Sequence, residues 1–192
     1  MIWSVNLGCI EVHPWLSTRF ALDHPSYIIF DLDPMKPAVF SDAVKVALSV
    51  YVLLKELHLK SFPKISGATG IHIYLPISPQ YSYQQTSNFV KQIGSLIIKA
   101  LPTLATNERK IVKRTGKVYI DHLQNSKGKT IASVYSVRPF PGAPVSTPVT
   151  WDELPDCHPS MFTILTTPKR IKKQGDLFKP LLNLEQKIPY IG

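Results

Sequence analysis

The chain has 192 residues, 44% hydrophobic and 18% charged, the profile of a single globular domain with room for a real core. Twenty-two Lys and Arg against 13 Asp and Glu give a net charge of +9, which points away from an acidic scaffold and toward a polyanionic partner. No apolar run approaches the roughly 18 residues needed to cross a bilayer, no secretory signal opens the chain, and Cys9 and Cys157 stand far apart without a CxxC pair, so membrane, secreted-disulfide and zinc-finger classes are set aside and a cytoplasmic compartment is expected.

No internal repeat is present. Residues 27–33, ending in Asp31-Leu32-Asp33, read as a buried strand stopped by Pro34. Residues two apart in a strand share a face, so both carboxylates project together while Leu32 faces the core. Two such charges repel, and a cation between them is one way to hold both ionised; an exposed strand end before a Pro turn fits the dipeptide equally well. Val44, Leu48, Tyr51, Leu54 and Leu57 recur at helical spacing and predict a helix over 40–59, with Ser41 or Asp42 as its cap.

Two strands, 61–65 and 70–77, then flank the turn Ser66-Gly67-Ala68-Thr69-Gly70. The glycines permit a sharp turn with exposed N–H groups, a possible cradle for phosphate oxygens. His72 alternates with Ile71 and Ile73 and so projects to the opposite face from them. A second helix is expected over 83–101, and short strands over 117–121 and 130–135, joined by the polar loop 124–128. The first of these strands ends in Asp121, the one acid among Arg109, Lys110, Lys113, Arg114, Lys117, Lys127, Lys129 and Arg138. Clustered cations of this kind are the footprint of nucleic acid, although a solvated basic face has the same composition. The stretch 138–144, rich in Pro and Gly, must be loop. Short helices are expected at 150–154 and after Asp176, with a second basic cluster, Lys169, Arg170, Lys172 and Lys173, between them. The order of elements describes an α+β fold, a sheet with helices on one face.

Taken together, three motifs, Asp31-Leu32-Asp33, Ser66 to His72, and Tyr119-Ile120-Asp121, resemble the signature motifs of the archaeo-eukaryotic primase superfamily. Asn6 to Trp15, Phe30 to Pro34, Tyr135 to Arg138, Pro141 to Ser146 and Trp151 to Leu154 narrow the likeness to the polymerase domain of bacterial DNA ligase D, in order and in register from about Leu7 to Gly175. The resemblance implies a primase-polymerase (RRM-like) core with a mixed or antiparallel sheet and flanking helices. It implies Asp31, Asp33 and Asp121 as ligands of a divalent metal, Mn2+ or Mg2+, and His13, Ser66, His72 and Arg138 as groups that handle a nucleoside triphosphate. Arg109, Lys110, Lys113, Arg114, Lys127 and Lys129 are the expected DNA track. Implied partners are gapped DNA or double-strand-break ends, Ku and a ligase module, with a preference for ribonucleotides and a place at the nucleoid. The chain departs from the family pattern at Thr69, Gln124 and Phe140, where a cation is usual, and only 12 residues precede His13, so an N-terminally truncated core is expected. Two other readings share these residues: a non-catalytic DNA-end or nucleotide-binding remnant, and a primase-like enzyme.

Overall fold

The computed structural model describes residues 2–190. A short helix α1 (Ile2–Asn6) leads through an extended segment into β1 (Tyr27–Pro34), α2 (Phe40–Glu56), the hairpin β2 (Phe62–Ile65) and β3 (Ile71–Pro76), α3 (Tyr83–Ala100), β4 (Ala105–Thr106), β5 (Val118–Asp121) and α4 (Thr167–Gln174). The five strands form one sheet in the order β2-β3-β1-β5-β4, antiparallel except for the β4–β5 pair, and so mixed. The α+β expectation and its main strands and helices therefore hold.

Strand alternation divides the sheet into two faces. Ile28, Phe30 and Leu32 of β1, Ile71, Ile73 and Leu75 of β3, and Val118 and Ile120 of β5 share one core with Val46, Ala47 and Val50 of α2 and Val90, Ile93 and Ile97 of α3. This is the apolar stripe of two amphipathic helices laid on one face of a sheet. The opposite face carries Ile29 and Tyr74 in a smaller cluster with Leu16, Ile131, Phe178 and Leu181. It also carries the polar residues of the site.

The helix ends follow local chemistry. The Asp42 carboxylate accepts the Val39 N–H at 3.1 Å, so Asp42 closes the start of α2 from its first turn while Val39, not Ser41 or Asp42, occupies the cap position. At α3, Ser82 and Gln85 satisfy each other's backbone N–H groups, at 3.3 and 2.8 Å, in a capping box. α2 stops at Glu56, three residues before the expected end, and His58 takes a left-handed φ of 58°.

Three expectations need correction. Residues 130–135 are not a strand: the Ser133 N–H donates to Val12 O at 2.8 Å and the Tyr135 N–H to Ser146 O at 2.7 Å. Neither bond reaches the sheet, because Asn125 has taken the edge of β1 that such a strand would need. The Asn125 side chain accepts the Ile29 N–H at 2.8 Å and donates to Ile29 O at 2.7 Å, standing in for a strand where β5 has turned away into a 3₁₀ turn at His122–Asn125. The helix expected at 150–154 is a single 3₁₀ turn at Leu154–Asp156, with Pro155 inside it, and the helix expected after Asp176 is a 3₁₀ turn at Lys179–Asn183. The basic cluster 169–173 instead lies within α4.

Asn125 is fully buried, so replacing it with Ala strands two backbone groups of β1. Asn125→Ala should destabilise the fold by about 2–6 kcal/mol, the sum of two unsatisfied buried groups, measured by urea denaturation. A loss below ~1 kcal/mol would mean that water or a shifted loop replaces the amide.

Candidate active site

The register of the three inner strands builds the site. Asp31 pairs directly with His72 of β3 on one side and with Asp121 of β5 on the other, and His72 pairs with Lys64 of β2. One row, Lys64–His72–Asp31–Asp121, thus crosses four strands on the face away from α2 and α3. Asp33 lies two residues along β1, on the same face as Asp31, opposite Tyr119. The sequence expectation that Asp31 and Asp33 share a face, with Leu32 in the core, agrees with this arrangement.

The electrostatics of the row follow from its burial. The Asp31 carboxyl is pushed well above the ordinary carboxylate range by desolvation first, then by repulsion from Asp33 and Asp121. Asp33 is raised for the same reasons, with Arg114 and Arg138 opposing. Asp31 Oδ1 is buried with no hydrogen-bond partner. His72 Nε2 lies 3.4 Å from it, a contact without hydrogen-bond alignment, and His72 Nδ1 is also unpartnered. Burial, with Lys64 and Arg138 nearby, holds the His72 imidazole well below its usual value and therefore neutral. Lys64 is fully buried, donates to Ala132 O at 2.6 Å and to Ser146 Oγ at 2.5 Å, and is lowered to about 7 by desolvation against the opposing pull of Asp31.

Asp121 is turned differently. Its Oδ1 accepts from the Leu123 N–H at 2.9 Å and the Tyr119 hydroxyl at 3.2 Å, capping the following 3₁₀ turn. Among the described residues, no three His, Cys, Asp or Glu side chains converge closely enough to hold an ion. The donor set still suits one: three carboxylates on adjacent strands, hard oxygen ligands, with an orphaned oxygen on Asp31 and, among the described residues, no Lys or Arg in a direct ion pair with Asp31 or Asp33.

The hairpin turn works otherwise than expected. Ser66 Oγ accepts the N–H groups of Ala68 and Gly70, both at 3.1 Å, so these amides are spent on the turn and do not form a phosphate cradle. The Ser66 hydroxyl keeps its own hydrogen to donate. Both glycines are required by geometry. Gly67 has φ of +78°, and a Cβ there would lie 2.7 Å from Arg138 Cγ; at Gly70 it would lie 2.5 Å from Leu32 O and 2.8 Å from Asp33 Oδ1.

Arg138 and His13 come from outside the sheet. The Arg138 guanidinium donates through Nη1 to Ser66 O at 2.8 Å and through Nε to the Glu11 carboxylate, whose other oxygen lies 3.6 Å from His13 Nε2. Backbone and side-chain bonds hold this N-terminal stretch against the loops: the Val12 N–H donates to Ser136 Oγ at 2.9 Å, and Val12 O accepts from Ser133. The candidate DNA residues divide. Arg109, Lys110, Lys113, Lys127 and Lys129 are exposed, with Lys127 paired to Asp23. Arg114 is half-buried, stacks 3.4 Å over the Tyr119 ring and donates to Glu108 O and Arg109 O, both at 2.6 Å. It therefore belongs beside Asp33 more than to an open surface.

Sequence reading missed Lys64 and Glu11. The signals were present: Lys64 is the one charge in an otherwise apolar strand, and Glu11 lies two residues before His13 in extended chain, hence on its side.

The raised aspartates make stability depend on pH. A carboxyl with a raised folded value binds its proton more tightly when folded, so its contribution is present at acid pH and is lost as pH rises through that raised value. Asn at position 33 cannot ionise. Metal-free Asp33→Asn should therefore match the wild type near the ordinary carboxylate value of 3.8 and melt at higher temperature above the raised one. Melting curves in chelator from acid to neutral pH check this, and a gap that does not change with pH contradicts it.

Comparison with known proteins places the arrangement. Residues 1–178 match the family described as LigD, primase-polymerase domain. The chain is 38% identical over 177 residues to the bifunctional non-homologous end joining protein LigD of Bacillus subtilis, covering 91% of this chain and 29% of that protein. It is 30% identical to the multifunctional LigD of Mycolicibacterium smegmatis, covering 94% and 24%. The chain thus spans less than a third of the length of these relatives. A solved structure, the polymerase domain from Mycobacterium tuberculosis ligase D in complex with DNA, superimposes with a TM-score of 0.83 at 29% identity, over 93% of this chain and 65% of that one. With the family match covering almost its whole length and its strands laid out on the same framework, this chain belongs to the LigD primase-polymerase domain family.

Proposed function

We propose that this chain is a template-directed nucleotidyltransferase that fills gaps at broken or gapped DNA during end joining, with Asp31, Asp33 and Asp121 holding a divalent metal, Mn2+ or Mg2+. The observation that carries the reading is the register: Asp31 stands between Asp121 and His72 in one cross-strand row, with Asp33 beside it on the same face. A metal bound there supplies charge neutralisation for a triphosphate and a lowered pKa for an attacking 3′-hydroxyl.

The protein's own groups do the rest. Arg138, anchored through two of its five N–H donors, has others left for phosphate oxygens. His13, exposed and 3.6 Å from the Glu11 carboxylate that holds Arg138, and the Ser66 hydroxyl add donors. His72, neutral and in contact with Asp31, offers one ring nitrogen as a donor without adding charge to the row. The exposed cations Arg109, Lys110, Lys113 and Lys129 suit a DNA backbone, whose phosphates bind cations without regard to sequence. The relatives are named for non-homologous end joining and a similar polymerase domain is solved with DNA, which supports DNA ends as substrate; Ku and a ligase module as partners and ribonucleotides as the preferred units are proposed on the resemblance of the motifs alone.

Primer extension on gapped duplexes with Mn2+ or Mg2+ tests this. Asp33→Ala and Asp121→Ala should each abolish extension, because neither leaves enough carboxylates to place the metal, while DNA binding persists. Full extension by either variant removes the metal assignment. DNA binding by a wild type that never extends would favour the non-catalytic reading. Arg138→Ala should weaken triphosphate binding by about 1.5–3 kcal/mol, the range for a hydrogen bond to a charged group, with DNA affinity nearly unchanged. Lost DNA affinity with normal triphosphate affinity, in paired equilibrium titrations, would move Arg138 to the DNA track.

A further inference from the structure

Among the described residues, Glu11 is the one carboxylate in contact with both His13 and Arg138, and the function proposed above leaves it without a role. Its Oε1 accepts from Arg138 Nε and its Oε2 lies 3.6 Å from His13 Nε2. An acid among groups that would receive an anion looks misplaced, since it competes for the same donors. The geometry resolves the conflict. Glu11 takes Arg138 through Nε, and Ser66 O takes one Nη1 hydrogen at 2.8 Å. A guanidinium has five N–H groups in a rigid plane, so three remain, and the plane in which they lie is fixed by the two already used.

The backbone around Glu11 is arranged to hold it. The next residue, Val12, is tied by its N–H to Ser136 Oγ at 2.9 Å and by its carbonyl to the Ser133 N–H at 2.8 Å. The Arg138 N–H donates to Pro144 O at 2.8 Å, and the stem of the side chain passes so close to Gly67 that a Cβ there would lie 2.7 Å from Arg138 Cγ. The arginine is therefore fixed at its backbone, along its stem and at two of its donors. The side chains of Glu11 and Arg138 are 28% and 16% exposed, enough shielding from water for the ion pair to keep one geometry.

We infer that Glu11 is a positioning residue, whose two carboxylate oxygens orient Arg138 and His13 together so that their remaining donors face the triphosphate. The inference rests on the reading of this pocket as a triphosphate site. Glu11 touches neither the nucleotide nor the reacting atoms; it acts through the two side chains it holds. Without it, the guanidinium keeps its charge but loses its fixed plane, and bidentate donation depends on that plane.

A double-mutant cycle separates positioning from a general structural role. The probe is a nucleoside triphosphate with a non-hydrolysable α,β-bridge, titrated calorimetrically against the whole chain with Mn2+. Glu11→Ala should weaken binding about tenfold, as expected for loss of an ordered charge-assisted contact, yet change it less than about twofold in a background that carries both Arg138→Ala and His13→Ala. Glu11→Gln, isosteric and able to accept from Arg138 but not from both partners, should lose about threefold, and again almost nothing without those two partners. This variant carries the cycle if Glu11→Ala does not fold. Equal losses with and without the two partners would make Glu11 a structural tie only and overturn the inference, as would unchanged or tighter binding in either variant. In those cases the triphosphate site itself stands. Failure of the wild type to bind the probe at all would instead overturn the site reading, and this inference with it.

Discussion

Repulsion among Asp31, Asp33 and Asp121 is the constraint around which the rest of the molecule is arranged. Carboxylates on a sheet face cannot move apart, because strand spacing and pleat fix their separation. Burial raises the cost further, since the charged form loses water while gaining like-charged neighbours. The structure tolerates this in two ways. It keeps three cations nearby without direct bonds to Asp31 or Asp33: Lys64, Arg114 and Arg138 each lower the carboxyl values of one or both. It also makes the apolar side of the same strands a dense core with α2 and α3, so that β1 stays in register despite the charge it presents.

Each of the three cations is itself held by neutral acceptors or distant partners. Lys64 is bound by a carbonyl and a serine hydroxyl, Arg114 by two carbonyls and the face of Tyr119, Arg138 by Ser66 O and Glu11. A direct ion pair with Asp31 or Asp33 would satisfy those carboxylates and remove the reason for an outside cation to bind. Leaving them unpaired is what the metal site proposed above requires of them. This is strain of charge, not of backbone, and such perturbed groups gather at functional sites.

The second wall of the site has a different origin from the first. The sheet supplies the carboxylates and His72, whereas Glu11, His13 and Arg138 arrive on irregular chain bound loop to loop. The segment around Val12 pairs with Ser133 and Ser136, and the loop around Ser146 pairs with Ile65 and Tyr135 through hydrogen bonds to Thr147 and Ser146. Residues 130–135 bond to both of these stretches, and their β-branched and apolar content resembles a strand because Ile131 and Ala132 are indeed buried. The pattern reports burial; it cannot report which backbone will answer the hydrogen bonds.

That difference marks where sequence was sufficient. Alternation in Tyr27 to Pro34 and Ile71 to Pro76, the helical stripes of α2 and α3, and the pairing of Asp31 with Asp33 on one face are all local consequences of period, and they were legible residue by residue. The family motifs added Asp121, His13, Ser66 and Arg138, because their order and spacing survive in one dimension. Lys64, Glu11, Asn125 and the inward turn of Arg114 were not legible. Their roles are contacts across 68 residues for Lys64 with Ala132, 127 for Glu11 with Arg138 and 96 for Asn125 with Ile29. A charge in a strand or a polar residue in a loop has many possible partners, and only the closed sheet and its crossing loops select one. Sequence determined which faces exist and which carboxylates share them; tertiary structure decided what stands opposite, because desolvation and hydrogen-bond partners are properties of neighbours in space.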